Sequence, residues 1–197
     1  MTKVYHSSGK DDWGTPQPLF DYFNERYNFI LDAAASPHNK KCEAAICLED
    51  GRDALKTNWL DIATMKGIVP PNSYFNVWCN PPYSKCHEFI QHAAVLTGLA
   101  TVREQFIVML VPARTDTLWW HGIIMKCAWM VELLQGRLCF EGAKAGAPFP
   151  SAILIFKAGW CNPPAVIRSL SLSPEVRGFK KKPKLKHRRL FGEEHAS

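Results

Sequence analysis

Two consecutive prolines, Pro81 and Pro82, cut off an apolar run that ends at Cys79. Proline cannot donate to a ladder, and it pushes the preceding residue away from helix. The run from Tyr74 to Cys79 is therefore predicted to be a short buried strand that stops abruptly, with Asn80-Pro81-Pro82-Tyr83 at its carboxyl end. Other apolar runs follow the same rhythm. Phe29-Ile30-Leu31, ending at Asp32, and Phe106 to Val111 read as further buried strands, with a shorter one near Ala45 to Leu48. Ala128 to Leu134, Arg137 to Phe140 and Ala152 to Phe156 are three later strand candidates. Helical spacing separates them: Leu19, Phe20, Phe23 and Tyr27 early, then Phe89, Ala93 and Leu96, then a segment around Trp119 and Trp120. Thr15 is the expected cap of the first helix, with Pro16 in its first turn, and Ser84 that of the next. The alternation predicts an α/β fold, a mostly parallel central sheet flanked by helices, with antiparallel pairing possible among the late, closely spaced strands.

At 197 residues the chain is long enough for one domain with a full core. No apolar run is long enough to cross a bilayer, and no signal-peptide pattern is present, so the expectation is a soluble protein of an interior compartment, without a membrane partner. Seven widely spaced cysteines, mostly beside apolar neighbours, read as reduced thiols that fill small core positions. His38, Cys42 and Cys47 lie close together but lack a fourth ligand at a usual spacing, so no metal is expected. Net charge is +6, and it is unevenly placed: residues 180–197 carry seven Lys or Arg against two Glu, a net of +5. The expected organisation is a loose start over 1–12, a domain over 13–175 and a basic tail over 176–197. Mobile cations suit phosphate, so Lys180, Lys181, Lys182, Lys184, Lys186, Arg188 and Arg189 are candidate nucleic-acid contacts.

In open α/β sheets, ligands bind beyond the carboxyl ends of the strands. Asp32 and the Asn80-Pro81-Pro82-Tyr83 loop are both predicted there. The loop offers a carboxamide oxygen and a backbone carbonyl as converging acceptors, and an aromatic ring for stacking. That set suits a planar amine, whose two N–H groups need two acceptors.

Asn80-Pro81-Pro82-Tyr83 resembles the catalytic loop of amino-directed methyltransferases. The ordered set Trp13-Gly-Thr-Pro16, Leu31-Asp-Ala-Ala-Ala-Ser36, Trp78-Cys-Asn-Pro-Pro-Tyr-Ser84, Met109-Leu-Val-Pro-Ala-Arg-Thr-Asp-Thr117, Gly136-Arg-Leu-Cys-Phe140 and Ala152 to Phe156 resembles the phage-type DNA N6-adenine methyltransferases. The resemblance implies a Rossmann-like S-adenosylmethionine-dependent fold, with methyl transfer from that cofactor to an adenine flipped out of double-stranded DNA in a bacterial host cytoplasm. It implies catalytic roles for Asn80, Pro81, Pro82 and Tyr83. Trp13, Thr15, Pro16, Asp32 and Ala33 would flank the cofactor, with Asp53 toward its adenine end and Glu49 or Asp50 toward its ribose. Arg114 and Arg137 would face DNA. One departure stands out: Ala33-Ala34-Ala35 occupies the place of the usual Gly-rich turn, and alanine does not favour positive φ.

Two other readings share the loop: methylation of an amine in RNA or protein, and a DNA-binding protein of this fold without turnover. Duller roles also compete, with Asp53 as a turn or cap residue, Arg114 and Arg137 as surface cations, and Trp119 and Trp120 as core.

Overall fold

The computed structural model describes residues 13–47, 51–65, 67–68, 70, 75–100, 105–160 and 164–180. Glu49, Asp50 and the basic residues from Lys181 to Arg189 lie outside them. The described residues build a seven-stranded sheet with helices on both faces. The strands are β1 (Phe29–Ala35), β2 (Ala44–Cys47), β3 (Asn76–Cys79), β4 (Phe106–Pro112), β5 (Met130–Leu134), β6 (Ser151–Lys157) and β7 (Val166–Leu170), in the order β2-β1-β3-β4-β6-β5-β7. Four neighbouring pairs run parallel; β6 runs antiparallel to both β4 and β5. This is the mostly parallel α/β sheet expected from the alternating pattern.

Side-chain alternation along the strands divides the core in two. Leu31, Val77, Cys79, Ile107, Met109, Leu154 and Phe156 face α2 (Trp59–Met65), α3 (Cys86–Leu99) and a π-helical turn at Trp120–Ile124. Phe29, Trp78, Val108, Leu110, Ile153 and Ile155 face α1 (Gln17–Tyr27) and the stretch containing Leu138, Phe140 and Ala147. Burial on both sides explains why the central strands are continuous apolar runs. Five cysteines, Cys42, Cys47, Cys79, Cys86 and Cys139, are buried in this core. Among the described residues no helix is long and apolar enough to cross a membrane.

Several local expectations need correction. Thr15 does not cap α1: Pro16 holds the N-cap position without a side-chain bond, and Pro18 fills the first turn. Ser84 lies within a 3-10 turn, Tyr83–Lys85, and Lys85 is the N-cap residue of α3. Asp32 sits inside β1, because the strand continues to Ala35. Arg137 to Phe140 forms no strand. Its backbone groups are used singly by separate segments: Cys139 N–H donates to the Arg177 carbonyl (2.8 Å), and the Leu138 carbonyl accepts from Ala147 (2.7 Å). The strand β7 was not anticipated, since its residues are largely exposed and lack a buried face.

Residues 176–179 fold back onto this stretch. Gly178 has φ +88°, and a Cβ there would run into the Cys139 carbonyl and the Pro16 ring, so only glycine allows this approach. At the sheet edge, Glu132 of β5 is fully buried and accepts from Arg26 Nη1 (3.2 Å) and from the Arg168 guanidinium of β7, with Nε at 2.8 Å. A buried carboxylate that loses one cation is costly. Arg168→Ala is expected to destabilise the protein by about 3 kcal/mol and to speed amide exchange along β7 first. Unchanged melting and exchange would show that Arg26 alone satisfies Glu132.

Candidate active site

The carboxyl ends of β1 and β3 open into a cavity of about 380 Å³, within the usual range for small-molecule pockets. It is lined by Trp13, Thr15 and Asp32, by Ser36 and Lys41 after β1, and by Asn80 and Pro82 after β3, among others. Three of the segments singled out in the sequence, Trp13 to Pro16, the end of β1 and the Asn80 loop, thus meet at one place. The reason is topological: β1 and β3 are parallel neighbours, with Asp32 opposite Trp78, so their exits emerge side by side.

Asp32 is 3% exposed. Its Oδ1 accepts from the Ala34 N–H (3.2 Å) and its Oδ2 from the Lys41 N–H (3.1 Å). Burial pushes its carboxyl up from 3.8 to about 6, against the opposing pull of those two N–H groups and the Lys41 charge. Such a group gains from a cation delivered by a ligand. The alanine run beside it solves the missing-glycine problem without positive φ. The pairing of β1 with β2 shifts register between Asp32 and Ala35, so the strand end is bulged and not turned.

Lys41 escaped the sequence reading, because nothing in its spacing marks it. Its side chain is only 6% exposed, and its Nζ donates to Gln17 Oε1 (2.9 Å) and Glu141 Oε1 (2.6 Å). Glu141 in turn donates its N–H to the Gly14 carbonyl (2.9 Å), and a Cβ on Gly14 would crowd the Glu141 side chain. Glycine in Trp13-Gly-Thr-Pro16 thus lets the N-terminal segment lie close over the cavity.

Two asparagines on β3 and its exit show what is special about the loop. Asn76 uses both ends of its amide: its Nδ2 donates to the Tyr27 carbonyl and its Oδ1 accepts from Phe106 N–H (2.8 Å). Asn80 uses only one. Its Nδ2 donates to the Trp13 carbonyl, while its buried Oδ1 has no protein partner. Ser36 Oγ and Trp78 Nε1, also on the cavity lining, are buried without protein partners too. Buried polar atoms are nearly always satisfied, so an acceptor left open on a loop beside a cavity suits a polar ligand.

Tyr83 is placed beside the cavity and not in its lining. Its ring packs edge-on against Phe149 (5.3 Å between centroids) and Phe140 (6.2 Å), and both of those rings also meet Trp13, at 5.6 and 5.2 Å. Burial raises the Tyr83 hydroxyl well above its ordinary value, which leaves it neutral and unsuited to proton transfer. Phe149 was missed by the sequence reading; its position between Pro148 and Pro150 was the available signal.

The other predicted residues fall elsewhere. Pro16 begins α1, and Ala33 is buried in the core. Asp53 lies outside the cavity lining, where it accepts from Leu55 N–H (3.0 Å) as a helix cap and sits 3.5 Å from Lys56. Trp120 is core. Arg114, Arg137 and Lys180 are exposed. Among the described residues no group of three or more His, Cys, Asp or Glu could hold a metal ion.

The chain is 33% identical over 111 residues to a DNA N-6-adenine-methyltransferase of Escherichia phage T1, covering 56% of this chain but only 39% of that protein. It is 27% identical over 141 residues to a DNA N-6-adenine-methyltransferase of Haemophilus phage HP1, covering 71% of each. A crystal structure from Listeria monocytogenes, described as a putative class I S-adenosylmethionine-dependent methyltransferase, aligns with 87% of this chain and 70% of its own at 13% identity and a TM-score of 0.46. The family model for DNA N-6-adenine-methyltransferase (Dam) matches residues 3–177, and the chain belongs to that family.

Proposed function

We propose that this protein transfers a methyl group from S-adenosylmethionine to the N6 amine of an adenine turned out of double-stranded DNA. The observation that carries the reading is Asn80: its amide is anchored through Nδ2 on the Trp13 carbonyl, and its Oδ1 is buried and without a protein partner beside the cavity. The family membership favours adenine in DNA over an amine in RNA or protein.

The cavity residues fit the cofactor. Asp32 would take its ammonium, and Thr15, Ser36 and Lys41 offer donors to its carboxylate. S-adenosylmethionine supplies a methyl already activated on sulfur, so the protein's task is to position the acceptor and stabilise charge. Adenine N6 is a weak nucleophile because its lone pair is spread into the ring. Asn80 Oδ1 and the Pro81 carbonyl would accept its two N–H bonds, turning that lone pair toward the methyl and stabilising positive charge as it grows on nitrogen. Pro82 fixes the direction of the loop, and the Tyr83 ring would stack on the extruded base. After transfer one proton passes from the methylated nitrogen to water, and no acid–base pair is needed before transfer. Incubation with methyl-labelled cofactor and separate DNA, RNA and protein acceptors tests the reading. Label is expected in DNA; label only in RNA or protein overturns it.

The run from Lys180 to Arg189 acts in this reading as a phosphate-binding arm that adds affinity without sequence preference. Arg137 and Phe179 both stand against Gly146, so Arg137 and Lys180 would extend one basic strip. Truncation after Phe179 spares the packed segment and is expected to weaken DNA binding at least tenfold at low salt. The salt dependence should become shallower, and the preference between two unrelated duplexes should stay the same. An unchanged salt slope would make the run a solvated end.

A further inference from the structure

Leu118 is the most exposed large apolar side chain among the described residues, at 92%. Its surroundings are ordered. The Arg114 carbonyl accepts both the N–H (3.2 Å) and the Oγ1–H (2.8 Å) of Thr117, and the Thr117 carbonyl accepts from Trp120 N–H (3.1 Å). Trp120 is buried at 3% and roots the turn in the core. Leu118 is thus held out on a braced turn.

The sheet register places that turn at the catalytic edge. β3 and β4 are parallel, with Cys79 opposite Met109. β3 ends there, while β4 continues three residues further to Pro112. At about 3.3 Å per residue, β4 rises roughly 10 Å beyond the level where the Asn80 loop departs. Just past its end, Ala113 N–H donates to the Pro150 carbonyl (2.9 Å), next to Phe149 of the ring cluster around Tyr83. The Arg114 charge also reaches the Cys86 thiol at the start of α3, partly opposing the burial that pushes that thiol up to about 12. The 113–118 turn therefore begins at the same carboxyl edge as the loop and rings proposed to receive the base, with an exposed cation four residues before the exposed leucine.

We propose that Leu118 is a wedge that enters the base stack of duplex DNA and fills the gap left by the extruded adenine, with Arg114 on the adjoining phosphate. This rests on the function proposed above. An apolar side chain inserted between bases offsets part of the unstacking, and a braced turn is what makes such insertion effective. The neighbouring cation complements the backbone on either side of the gap.

The test uses Leu118→Ala and Leu118→Met with three oligonucleotides: a matched duplex with adenine in the preferred context, the same duplex with an abasic position opposite that adenine, and the single strand. Leu118 makes so little contact with the protein that both variants should melt like the parent. Leu118→Ala is expected to lose about tenfold in kcat/KM on the matched duplex, and to stay within about threefold of the parent on the abasic duplex and the single strand, where extrusion is already easy. Leu118→Met should retain most activity on all three. With 2-aminopurine at the target position, the fluorescence rise on binding should be smaller for Leu118→Ala. Parent-like activity of Leu118→Ala on the matched duplex overturns the wedge, and so does an equal loss on all three substrates. If the parent itself methylates none of them, the proposed function fails, and the wedge with it.

Discussion

Replacing Asn80 with alanine is expected to lower the single-turnover rate of methyl transfer by about 100-fold or more. In the folded chain the amide is held by its nitrogen on the Trp13 carbonyl, and that bond fixes the direction of Oδ1. An acceptor already oriented toward the reacting nitrogen costs no reorganisation as charge develops, which makes its removal expensive. The variant should fold, since Asn80 lies at a strand exit and the core beneath it is unchanged. Cofactor affinity should shift only a few-fold, because Asn80 borders the cavity but the groups assigned to the cofactor, Asp32, Thr15, Ser36 and Lys41, are unchanged. Asn80→Asp separates the two ends of the amide. It keeps an acceptor but sets a carboxylate against the Trp13 carbonyl, so it should lose both rate and cofactor affinity. Near-normal transfer by Asn80→Ala would remove the assigned role.

Asp32→Ala is expected to weaken S-adenosylmethionine binding by about 10- to 100-fold, the range of a charge-assisted hydrogen bond. The pH dependence is a sharper signature. Burial raises the Asp32 carboxyl from 3.8 to about 6 in the fold. For an acid raised in this way, the native state is favoured while the group is protonated, and that advantage is lost as pH rises through about 6. Between pH 4 and pH 7.5 the cofactor-free protein should lose on the order of 3 kcal/mol relative to Asp32→Asn, which has no such charge to bury. Binding should run the opposite way. The ionised carboxylate is the form that pairs with an ammonium, so affinity should rise between pH 5 and pH 7 in the parent and stay flat in Asp32→Asn. Calorimetry across that range, with denaturation curves at the same pH values, measures both. A flat parent profile would leave Asp32 a structural residue.

The fold was legible in the sequence because its central strands are buried on both faces and therefore appear as unbroken apolar runs. β7 escaped because an edge strand has no such run: Val166 and Ile167 are each about half exposed. Arg137 to Phe140 misled for the converse reason. Its Leu138 and Phe140 alternate like strand residues, yet they belong to a loop whose backbone groups bond singly to scattered partners. The site was legible where chemistry is concentrated in a short motif, as in Asn80-Pro81-Pro82-Tyr83. It was illegible where a residue acts through long-range contact. Lys41 reaches Glu141, 100 residues away, with nothing local to mark it, and Phe149, marked only by its flanking prolines, meets Tyr83 from a distant loop. Asp53 illustrates a third case, an acid in a plausible place whose side chain is engaged in capping its own turn.

The acceptor proposed for this protein is adenine N6 in DNA. Mass analysis of nucleosides released from duplex DNA, after incubation with the protein and methyl-labelled S-adenosylmethionine, tests it most directly. Labelled N6-methyldeoxyadenosine is expected, formed by the parent and nearly abolished by Asn80→Ala. Label on cytosine, or an unlabelled nucleoside pool from a protein that binds the cofactor, would contradict it.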